Sequence, residues 1–330
     1  MINDKMQAMN KIKIFFEDFW QGFNKSDNFF TKVLEKDYEI VIDSNPDYLF
    51  FSVYGYNHLK YRNCIKIFFS GENIEPDFNL CDYAIAFQFI EAGDRYIRFP
   101  LYLISGFKQL NNQPLDSEKL LNRKFCNFVY SNSKWADPTR EEFFKKLSKY
   151  KKVDSGGKLL NNIGGAVENK LDFIKDYKFT ISFENSSLSG YTTEKIVEPM
   201  IVNSLPVYWG NPDIHRDFNK QSFVYVNDYE TIEEAIHEVI RLDNDDEAYI
   251  QKLSFPWYIG DNYAQWEQKL KYFLKKIFDQ DFTKAKRTTQ YGYVRTYRRK
   301  QETMGWLFSR KIMRLTISNF EFSLLIGKKK

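Results

Sequence analysis

The strongest constraint on the fold of this chain comes from residues 177–213, which read YKFTISFENSSLSGYTTEKIVEPMIVNSLPVYWGNPD. Residues 179–183 and 205–209 are short apolar runs with aromatic and β-branched side chains, and each predicts a buried strand. The second run ends at Gly210-Asn211-Pro212, which is a turn signal. A crossover between parallel strands places its first loop at the carboxyl ends of the strands, where open α/β folds bind ligands. The pattern therefore predicts a site that suits a nucleoside diphosphate.

The crossover contains a predicted helix whose start is marked by polar residues. Residues 184–190 lack an apolar period and predict a loop, after which Thr192 or Thr193 can act as the N-cap. Glu194 stands in the first turn, where a carboxylate is favourable. Pro199 lies inside the predicted helix and removes one backbone hydrogen bond, so we expect a kink or a displaced helix boundary.

The rest of the chain alternates short strands with helices. Apolar runs predict strands at residues 11–15, 38–42, 48–53, 64–69, 83–87, 124–130 and 223–226. Apolar periodicity predicts helices at residues 28–35, 138–149, 232–242 and 266–278. A polar segment between residues 105 and 124 predicts a linker. We therefore expect an α/β protein with two Rossmann-like domains, residues 1–118 and 119–281, and a basic tail, residues 282–330.

Composition limits the classes of protein to which the chain can belong. Of its 330 residues, 43% are hydrophobic and 28% are charged, which suffices for two domain cores. Cys64, Cys81 and Cys126 form no CxxC pair, so we predict neither a zinc site nor a disulfide framework, and we expect a reducing cytoplasm. No apolar run approaches the roughly 20 residues that span a bilayer, and residues 1–10 lack the apolar core of a signal peptide.

Residues 282–330 concentrate the positive charge. They hold 13 Lys or Arg against Glu302 and Glu321, whereas the whole chain has a net charge of only +4, so the remainder is acidic. Aromatic residues alternate with these cations. We interpret the segment as a peripheral anchor on the inner face of the membrane, with a disordered solubilising tail as the alternative. Nucleic acid is not an expected partner, because no binding motif accompanies the tail.

Glu72 is a candidate general base. It follows the predicted strand at residues 64–69 and the turn residue Gly71, at the carboxyl end of the strand where catalytic groups gather. The alternative is a solvated loop glutamate. Arg95 and Arg98 can face an anionic ligand, or they can be simply solvated.

Two further motifs are weak. Gly156-Gly157-Lys158 suits a close approach to phosphate, although paired glycines beside a lysine are common. The acidic run at residues 243–246 resembles a metal-binding triplet, but its place between two predicted helices favours a solvated turn. No metal site is predicted.

Several motifs together resemble those of one family. They are Phe183-Glu184-Asn185-Ser186, GYTTEKI at residues 190–196, PVYWG at 206–210, Gly71-Glu72-Asn73, NLCDYA at 79–84, RYIR at 95–98, PLY at 100–102 and the segment 154–165. On these motifs the chain resembles the bacterial α-1,3/1,4-fucosyltransferases, inverting glycosyltransferases of the GT-B architecture that use GDP-fucose. The resemblance covers residues 10–275 and implies two Rossmann-like domains facing each other across a cleft.

The resemblance implies that Asn185, Tyr191, Glu194 and Lys195 bind GDP-fucose. Lys195 is expected on the diphosphate, Glu194 on the ribose hydroxyls, and Tyr191 over the base or the sugar. The residue types agree, since a lysine adds charge to a helix N-terminus and a carboxylate accepts hydrogen bonds from hydroxyls. Some relatives have an arginine after the glycine-rich segment, where this chain reads Leu-Leu-Asn at residues 159–161. Lys158 is therefore the candidate second cation.

By the same resemblance, Glu72 removes the proton from the acceptor hydroxyl, expected to be O3 of N-acetylglucosamine in a Galβ1,4GlcNAc unit. The products would be Lewis-type glycans, as in lipopolysaccharide, with an α-1,4 linkage left open. No cofactor is required; a divalent cation can assist, but no site for one is predicted. The tail lacks the seven-residue repeats of some relatives. A catalytically silent nucleotide-sugar- or carbohydrate-binding protein is the alternative from another class.

Overall fold

The structure is a computed structural model, and it describes residues 9–110, 115–131, 133–134, 136–289 and 291–308. Within these residues the strands are β1 (Asn10–Glu17), β2 (Tyr38–Ile42), β3 (Tyr48–Phe51), β4 (Ile65–Phe69), β5 (Tyr83–Ala86), β6 (Tyr96–Arg98), β7 (Lys124–Phe128), β8 (Val153–Ser155), β9 (Tyr177–Phe183), β10 (Leu205–Trp209) and β11 (Val224–Tyr225). The helices are α1 (Phe29–Leu34), α2 (Ser117–Leu121), α3 (Thr139–Leu147), α4 (Lys170–Ile174), α5 (Glu194–Ile201), α6 (Ile232–Asn244), α7 (Asp246–Ser254), α8 (Tyr263–Phe278), α9 (Phe282–Ala285) and α10 (Gly292–Phe308).

The strands form two separate parallel sheets, as the alternation of strands and helices predicts. The first sheet has the order β2-β1-β3-β4-β5-β6 and the second has the order β11-β10-β9-β7-β8. Strands β3, β4, β5 and β9 are buried along their whole length, which accounts for their unbroken apolar runs. Each predicted strand and helix is confirmed. The sequence missed β6 and β8, which have three residues each and are too short to display a period.

The chain divides into two compact units, and their borders differ from the predicted domains. The first unit lies within residues 1–86, 90–98 and 267–330, and the second within residues 87–89 and 99–266. Residues 99–118 therefore belong to the second unit, because Tyr102 packs on Phe218 with ring centroids 5.0 Å apart. The C-terminal part of α8 belongs to the first unit, where Phe278 packs on Tyr48 at 4.4 Å.

The prediction of a separate tail from residue 282 also needs correction. Residues 282–308 fold as α9 and α10 within the first unit. The fully buried carboxylate of Asp82 accepts hydrogen bonds from Lys286 Nζ at 2.9 Å and from the backbone N–H groups of Arg287 at 2.8 Å and Thr288 at 2.7 Å. These three bonds bind the segment because they satisfy a buried charge. The remainder of the proposed anchor, residues 309–330, lies outside the described residues.

Cys64, Cys81 and Cys126 are all buried and free. Among the residues that the structure describes, no helix is both long enough and apolar enough to cross a membrane. The same residues contain no cluster of three or more His, Cys, Asp or Glu side chains that could hold a metal ion.

Candidate functional site

The second unit concentrates charged groups where β9 ends and α5 begins. β9 pairs with β10 through Phe183 and Trp209, so both strands end at the same edge of the sheet. Glu184 follows β9 directly and is fully buried. Its carboxylate accepts a hydrogen bond from the Thr193 backbone N–H at 2.8 Å and another from Thr193 Oγ1 at 2.8 Å. Thr193 is the N-cap residue of α5, but its hydroxyl bonds to Glu184 instead of to the helix backbone.

Lys195 lies in the first turn of α5 with only 14% of its side chain exposed. Its ammonium donates a hydrogen bond to Thr193 Oγ1 at 2.8 Å, and it lies 3.3 Å from Glu184 Oε2 and 3.4 Å from Glu194 Oε1. Burial alone would lower the pKa of Lys195, but the two carboxylates outweigh burial and raise it. Lys195 therefore keeps its charge in the interior at any physiological pH.

The pKa values of Glu184 and Glu194 shift in opposite directions. Burial raises the pKa of Glu184 although Lys195 opposes the shift. Burial also acts on Glu194, but Lys195 and then Lys170 outweigh it, so the pKa of Glu194 is lowered. Glu194 is half-buried and ionised, which makes its oxygens suitable acceptors for hydroxyl groups.

Asn185 is oriented by an arginine that the sequence reasoning missed. Arg140 of α3 is 2% exposed and donates hydrogen bonds to the carbonyl oxygens of Phe183 and Glu184 and to Asn185 Oδ1, the last at 2.8 Å. A signal for it existed in the sequence. Arg140 precedes the apolar residues Phe143, Phe144 and Leu147 of α3 at helical spacing, so it shares their buried face.

A second residue outside the predicted set shapes the loop before α5. Asn211 is fully buried after β10. Its side-chain oxygen accepts from the Gly190 backbone N–H at 2.8 Å, and its amide group donates to Thr192 Oγ1 at 3.0 Å. The asparagine thereby fixes the path by which the chain enters α5.

Tyr191 is 2% exposed in the second unit, and its ring packs edge-on against Phe87 with centroids 5.2 Å apart. The Tyr191 ring is therefore part of the packed interior of the second unit next to the start of α5.

Lys158 is apart from the Lys195 cluster. It is exposed and follows β8, and β7 lies between β8 and β9 in the sheet. Gly157 is required for packing, since a Cβ there would meet the Tyr130 carbonyl oxygen at 1.9 Å. The glycine pair thus has a structural explanation that does not involve phosphate.

Glu72 lies in the first unit, just beyond the carboxyl end of β4, and is half-buried. The Tyr54 hydroxyl donates a hydrogen bond to Glu72 Oε1 at 2.7 Å. Ser70 Oγ holds the loop, since it accepts from the Glu72 backbone N–H and donates to the Glu72 carbonyl oxygen. The carboxylate is therefore oriented and still accessible to solvent.

Arg95 is removed from the candidate ligand-binding residues. Its guanidinium donates hydrogen bonds to the carbonyl oxygens of Asp82, Phe78 and Cys81 within the first unit. The acidic run at residues 243–246 is also structural. Asp243 pairs with Lys151 and Lys178, and the Asp245 side chain caps α7.

Two parallel α/β sheets, the second with a buried cation at the start of a helix, define a two-domain class consistent with the GT-B glycosyltransferases. The family models are more specific. Residues 14–105 match the alpha-(1,3)-fucosyltransferase FucT N-terminal domain, and residues 121–296 match the C-terminal region of glycosyltransferase family 10 (fucosyltransferase). The chain belongs to glycosyltransferase family 10.

Individual relatives agree with this assignment. The alpha-(1,3)-fucosyltransferase FucT of Helicobacter pylori is 32% identical over 295 residues, which cover 76% of this chain and 61% of the relative. The human GDP-fucose protein O-fucosyltransferase 3 is 31% identical over 154 residues, or 42% of this chain and 32% of the relative. The chain thus spans less than two thirds of the length of both proteins.

Solved structures match over more of their length. A crystal structure of an alpha1,3-fucosyltransferase has a TM-score of 0.72 and 29% identity, covering 85% of this chain and 93% of that one. Another crystal structure, of an alpha1,3-fucosyltransferase with GDP-fucose, has a TM-score of 0.69 and 27% identity, covering 86% and 95%.

Proposed function

We propose that the chain is an inverting α-1,3-fucosyltransferase that transfers L-fucose from GDP-fucose to O3 of N-acetylglucosamine in Galβ1,4GlcNAc-type acceptors. The observation that carries the proposal is the buried, charged Lys195 at the start of α5, within the region that matches the family's C-terminal model. Family membership and the structural match to an alpha1,3-fucosyltransferase with GDP-fucose support the same activity.

Lys195 would stabilise the leaving group. As the bond between the anomeric carbon and the β-phosphate oxygen breaks, the bonding electrons stay with GDP, and negative charge grows on the diphosphate. A cation that is fixed beforehand in a dry site stabilises this charge without reorganising. Its contacts with Thr193, Glu184 and Glu194 support this role, since they hold the ammonium in one place and keep it protonated.

Neighbouring groups would bind the rest of the donor. Glu194 accepts hydrogen bonds from the ribose hydroxyls, and Asn185, oriented by Arg140, offers a polar group beside the diphosphate. Lys158 is accessible as a second cation for the phosphates. Tyr191 is buried, so it would support the loop at residues 184–190 and would contact the base or the sugar only through that loop.

Glu72 would act as the general base. Its carboxylate takes the proton from the acceptor hydroxyl as that oxygen bonds to the anomeric carbon on the face opposite GDP, which inverts the configuration. The Tyr54 hydrogen bond supports this role because it fixes one carboxylate oxygen and leaves the other for the acceptor. The products would be GDP and a Lewis-type glycan, as in lipopolysaccharide, made on the cytoplasmic side of the membrane.

The test is to incubate the full chain with GDP-fucose and N-acetyllactosamine and to determine the product linkage by NMR. We expect fucose α-1,3-linked to N-acetylglucosamine. The Glu72→Gln variant should lower kcat by about 10²–10⁴-fold, whereas the exposed glutamate variant Glu39→Gln should match the unaltered chain. If GDP-fucose binds but fucose is not transferred to any acceptor in a panel, the chain is a catalytically silent binding protein.

A further inference from the structure

The first unit contains a cavity of about 200 Å³ whose lining is predominantly cationic. Six of the residues that line it are basic: Arg62, Lys66, Lys286, Arg295, Arg298 and Arg299. Among the described residues of the lining, Glu302 is the one acid. A chain whose net charge is only +4 has thus gathered a large local surplus of positive charge around one small space.

Helix α10 supplies half of these cations from a single face. Arg295, Arg298, Arg299 and Glu302 follow each other at spacings of three, one and three residues, which places them on the same side of the helix. Arg298 and Glu302 are buried against the unit, at 8% and 7% exposed, whereas Arg295 and Arg299 are exposed and line the cavity from its rim. A helix packed on a domain normally turns an apolar stripe inward. Here the buried pair is an arginine and a glutamate, with two further arginines beside them.

The helix packs closely on the rest of the first unit. Gly305 of α10 lies so close to Leu59 that a Cβ on the glycine would be 2.3 Å from Leu59 Cδ1. Upstream, Asp82 fixes the chain through Lys286, Arg287 and Thr288. The basic face of α10 is therefore pinned at both ends over the cavity.

Lys66 of β4 forms the most deeply buried part of the cavity lining. It is 2% exposed, and within the residues that the structure describes its ammonium has no hydrogen bond or ion pair. The nearby carboxylates are engaged elsewhere. Asp82 binds Lys286 Nζ at 2.9 Å, and Glu302 is shared between Arg62 at 3.5 Å and Arg298 at 3.8 Å.

Such an arrangement is unfavourable when the cavity holds only water. A buried ammonium without a counter-ion carries a desolvation penalty, and its cationic neighbours add repulsion. Burial lowers the pKa of Lys66, and Lys286 adds to that shift. An anion in the cavity would remove both penalties at once.

We propose that this cavity is a binding site for a phosphate monoester or inorganic phosphate, with Lys66 at its base and the arginines of α10 around it. Arginine forks match the geometry of phosphate oxygens, and a buried ammonium supplies a point charge. The volume fits a phosphate group, because pockets for larger ligands span roughly 300–1,000 Å³. The site lies in the first unit and is independent of the donor site proposed for the second, so it stands or falls separately from the proposed activity.

The test is calorimetric titration of the full chain with inorganic phosphate at constant ionic strength in chloride. Saturating GDP is present throughout, so that phosphate cannot report on the donor site. We expect one saturable site. Arg299→Gln and Lys66→Met should each weaken it by about tenfold or more, since each removes a charge-assisted contact. Lys300→Gln, which changes an exposed neighbour on α10 that does not line the cavity, should leave it unchanged.

Thermal unfolding separates binding from a folding defect. Phosphate should raise the Tm of the unaltered chain and of Lys300→Gln, and it should not raise the Tm of Lys66→Met, which should be at least as stable as the unaltered chain without phosphate. If the Lys66→Met variant fails to fold, Arg299→Gln decides the matter. An absence of saturable binding, or equal binding by Arg299→Gln and Lys300→Gln, overturns the proposal.

Vesicles distinguish the source of the phosphate group. Phosphatidylcholine vesicles with phosphatidic acid present the monoester as a lipid headgroup. If the chain pellets with these vesicles, and if pelleting decreases both for Arg299→Gln and in excess inorganic phosphate, the site binds a lipid headgroup. If calorimetry detects phosphate binding but Arg299→Gln and Lys300→Gln pellet equally, the site binds free phosphate.

Discussion

Each of the two units buries a lysine, Lys195 in the second unit and Lys66 in the first, but only Lys195 is paired with carboxylates. Lys195 is in contact with Glu184, Glu194 and the Thr193 hydroxyl, and its pKa is raised because the carboxylates outweigh burial. Lys66 has no such contact in the described part of the chain, and burial lowers its pKa. The second unit thus carries its own counter-ions, whereas the first leaves that role to a ligand.

The difference follows from what each lysine is expected to bind. A site that must stabilise charge appearing only during a reaction benefits from a cation that is already fixed, hydrogen-bonded and ionised. A site that binds an anion present from the start gains affinity when the free protein holds uncompensated charge, because the ligand relieves that penalty on arrival. Four predictions test this contrast, in order of decreasing effect.

The largest effect is expected for Lys195→Met, which removes the fixed cation. Loss of one preorganised group that stabilises transition-state charge lowers kcat by about 10²–10³-fold. The measurement is steady-state transfer from GDP-fucose to N-acetyllactosamine. Lys175→Met is the matched control, since Lys175 is an exposed lysine of the same unit that pairs with Asp172. Equal kcat values for Lys195→Met and Lys175→Met would contradict the role of Lys195 as the cation that stabilises the leaving group.

Glu184→Gln should reveal how much Lys195 depends on its buried partner. Removing one member of a buried ion pair is strongly destabilising, and although Lys195 keeps its contact with Glu194, we expect a loss of about 3 kcal/mol in the free energy of unfolding. Urea unfolding followed by circular dichroism measures it. Glu233→Gln breaks a surface pair with Lys146 and should change the stability little. A Glu184→Gln variant as stable as Glu233→Gln would show that Lys195 does not depend on Glu184 as its counter-ion.

Lys66→Met should act in the opposite direction and stabilise the protein in phosphate-free buffer by about 1 kcal/mol. A hydrophobic side chain of similar length replaces a buried charge that has no partner, and such replacements are often stabilising. The same urea titration serves, with Lys13→Met, an exposed lysine of the same sheet, as the control. A clear loss of stability in Lys66→Met beyond that of Lys13→Met would contradict the contrast.

The smallest effect concerns pH. The pKa of Lys66 is lower in the folded protein than in the unfolded chain, so between these two values the unfolded chain binds more protons and stability rises with pH. Lys66→Met lacks this contribution. The stability difference between variant and unaltered chain should therefore shrink as pH rises from 7 towards the unfolded pKa of about 10.4. Comparing the two proteins cancels the titration of their shared groups, and a constant difference would place the folded pKa at its ordinary value.

Sequence reasoning was most successful where a strand ends in polar residues. Phe179–Phe183 and the turn after Trp209 predict two neighbouring parallel strands, and from that placement alone Glu194 and Lys195 fall at the strand ends. The long apolar runs of the first sheet were equally clear, because strands buried on both faces have no alternation to obscure them.

The remaining features depend on contacts between distant residues. In the sequence Glu184 is only one residue of a motif, and nothing in its neighbourhood predicts that Thr193 and Lys195 surround its carboxylate. The charge of the segment that forms α10 predicts a tail in solvent or on a membrane. Its place in the first unit depends on Asp82, which lies about 200 residues earlier and gives no local signal.

That separation has a consequence for the order in which the protein is made. Asp82 is synthesised 204 residues before Lys286, its partner, and the whole second unit is translated between them. At 5–20 residues per second, the ribosome takes roughly 10–40 s over this interval. The second unit can therefore be complete while the first sheet still exposes an uncompensated carboxylate. The contacts that Asp82 makes with residues 286–288 can therefore form only after the second unit has been translated.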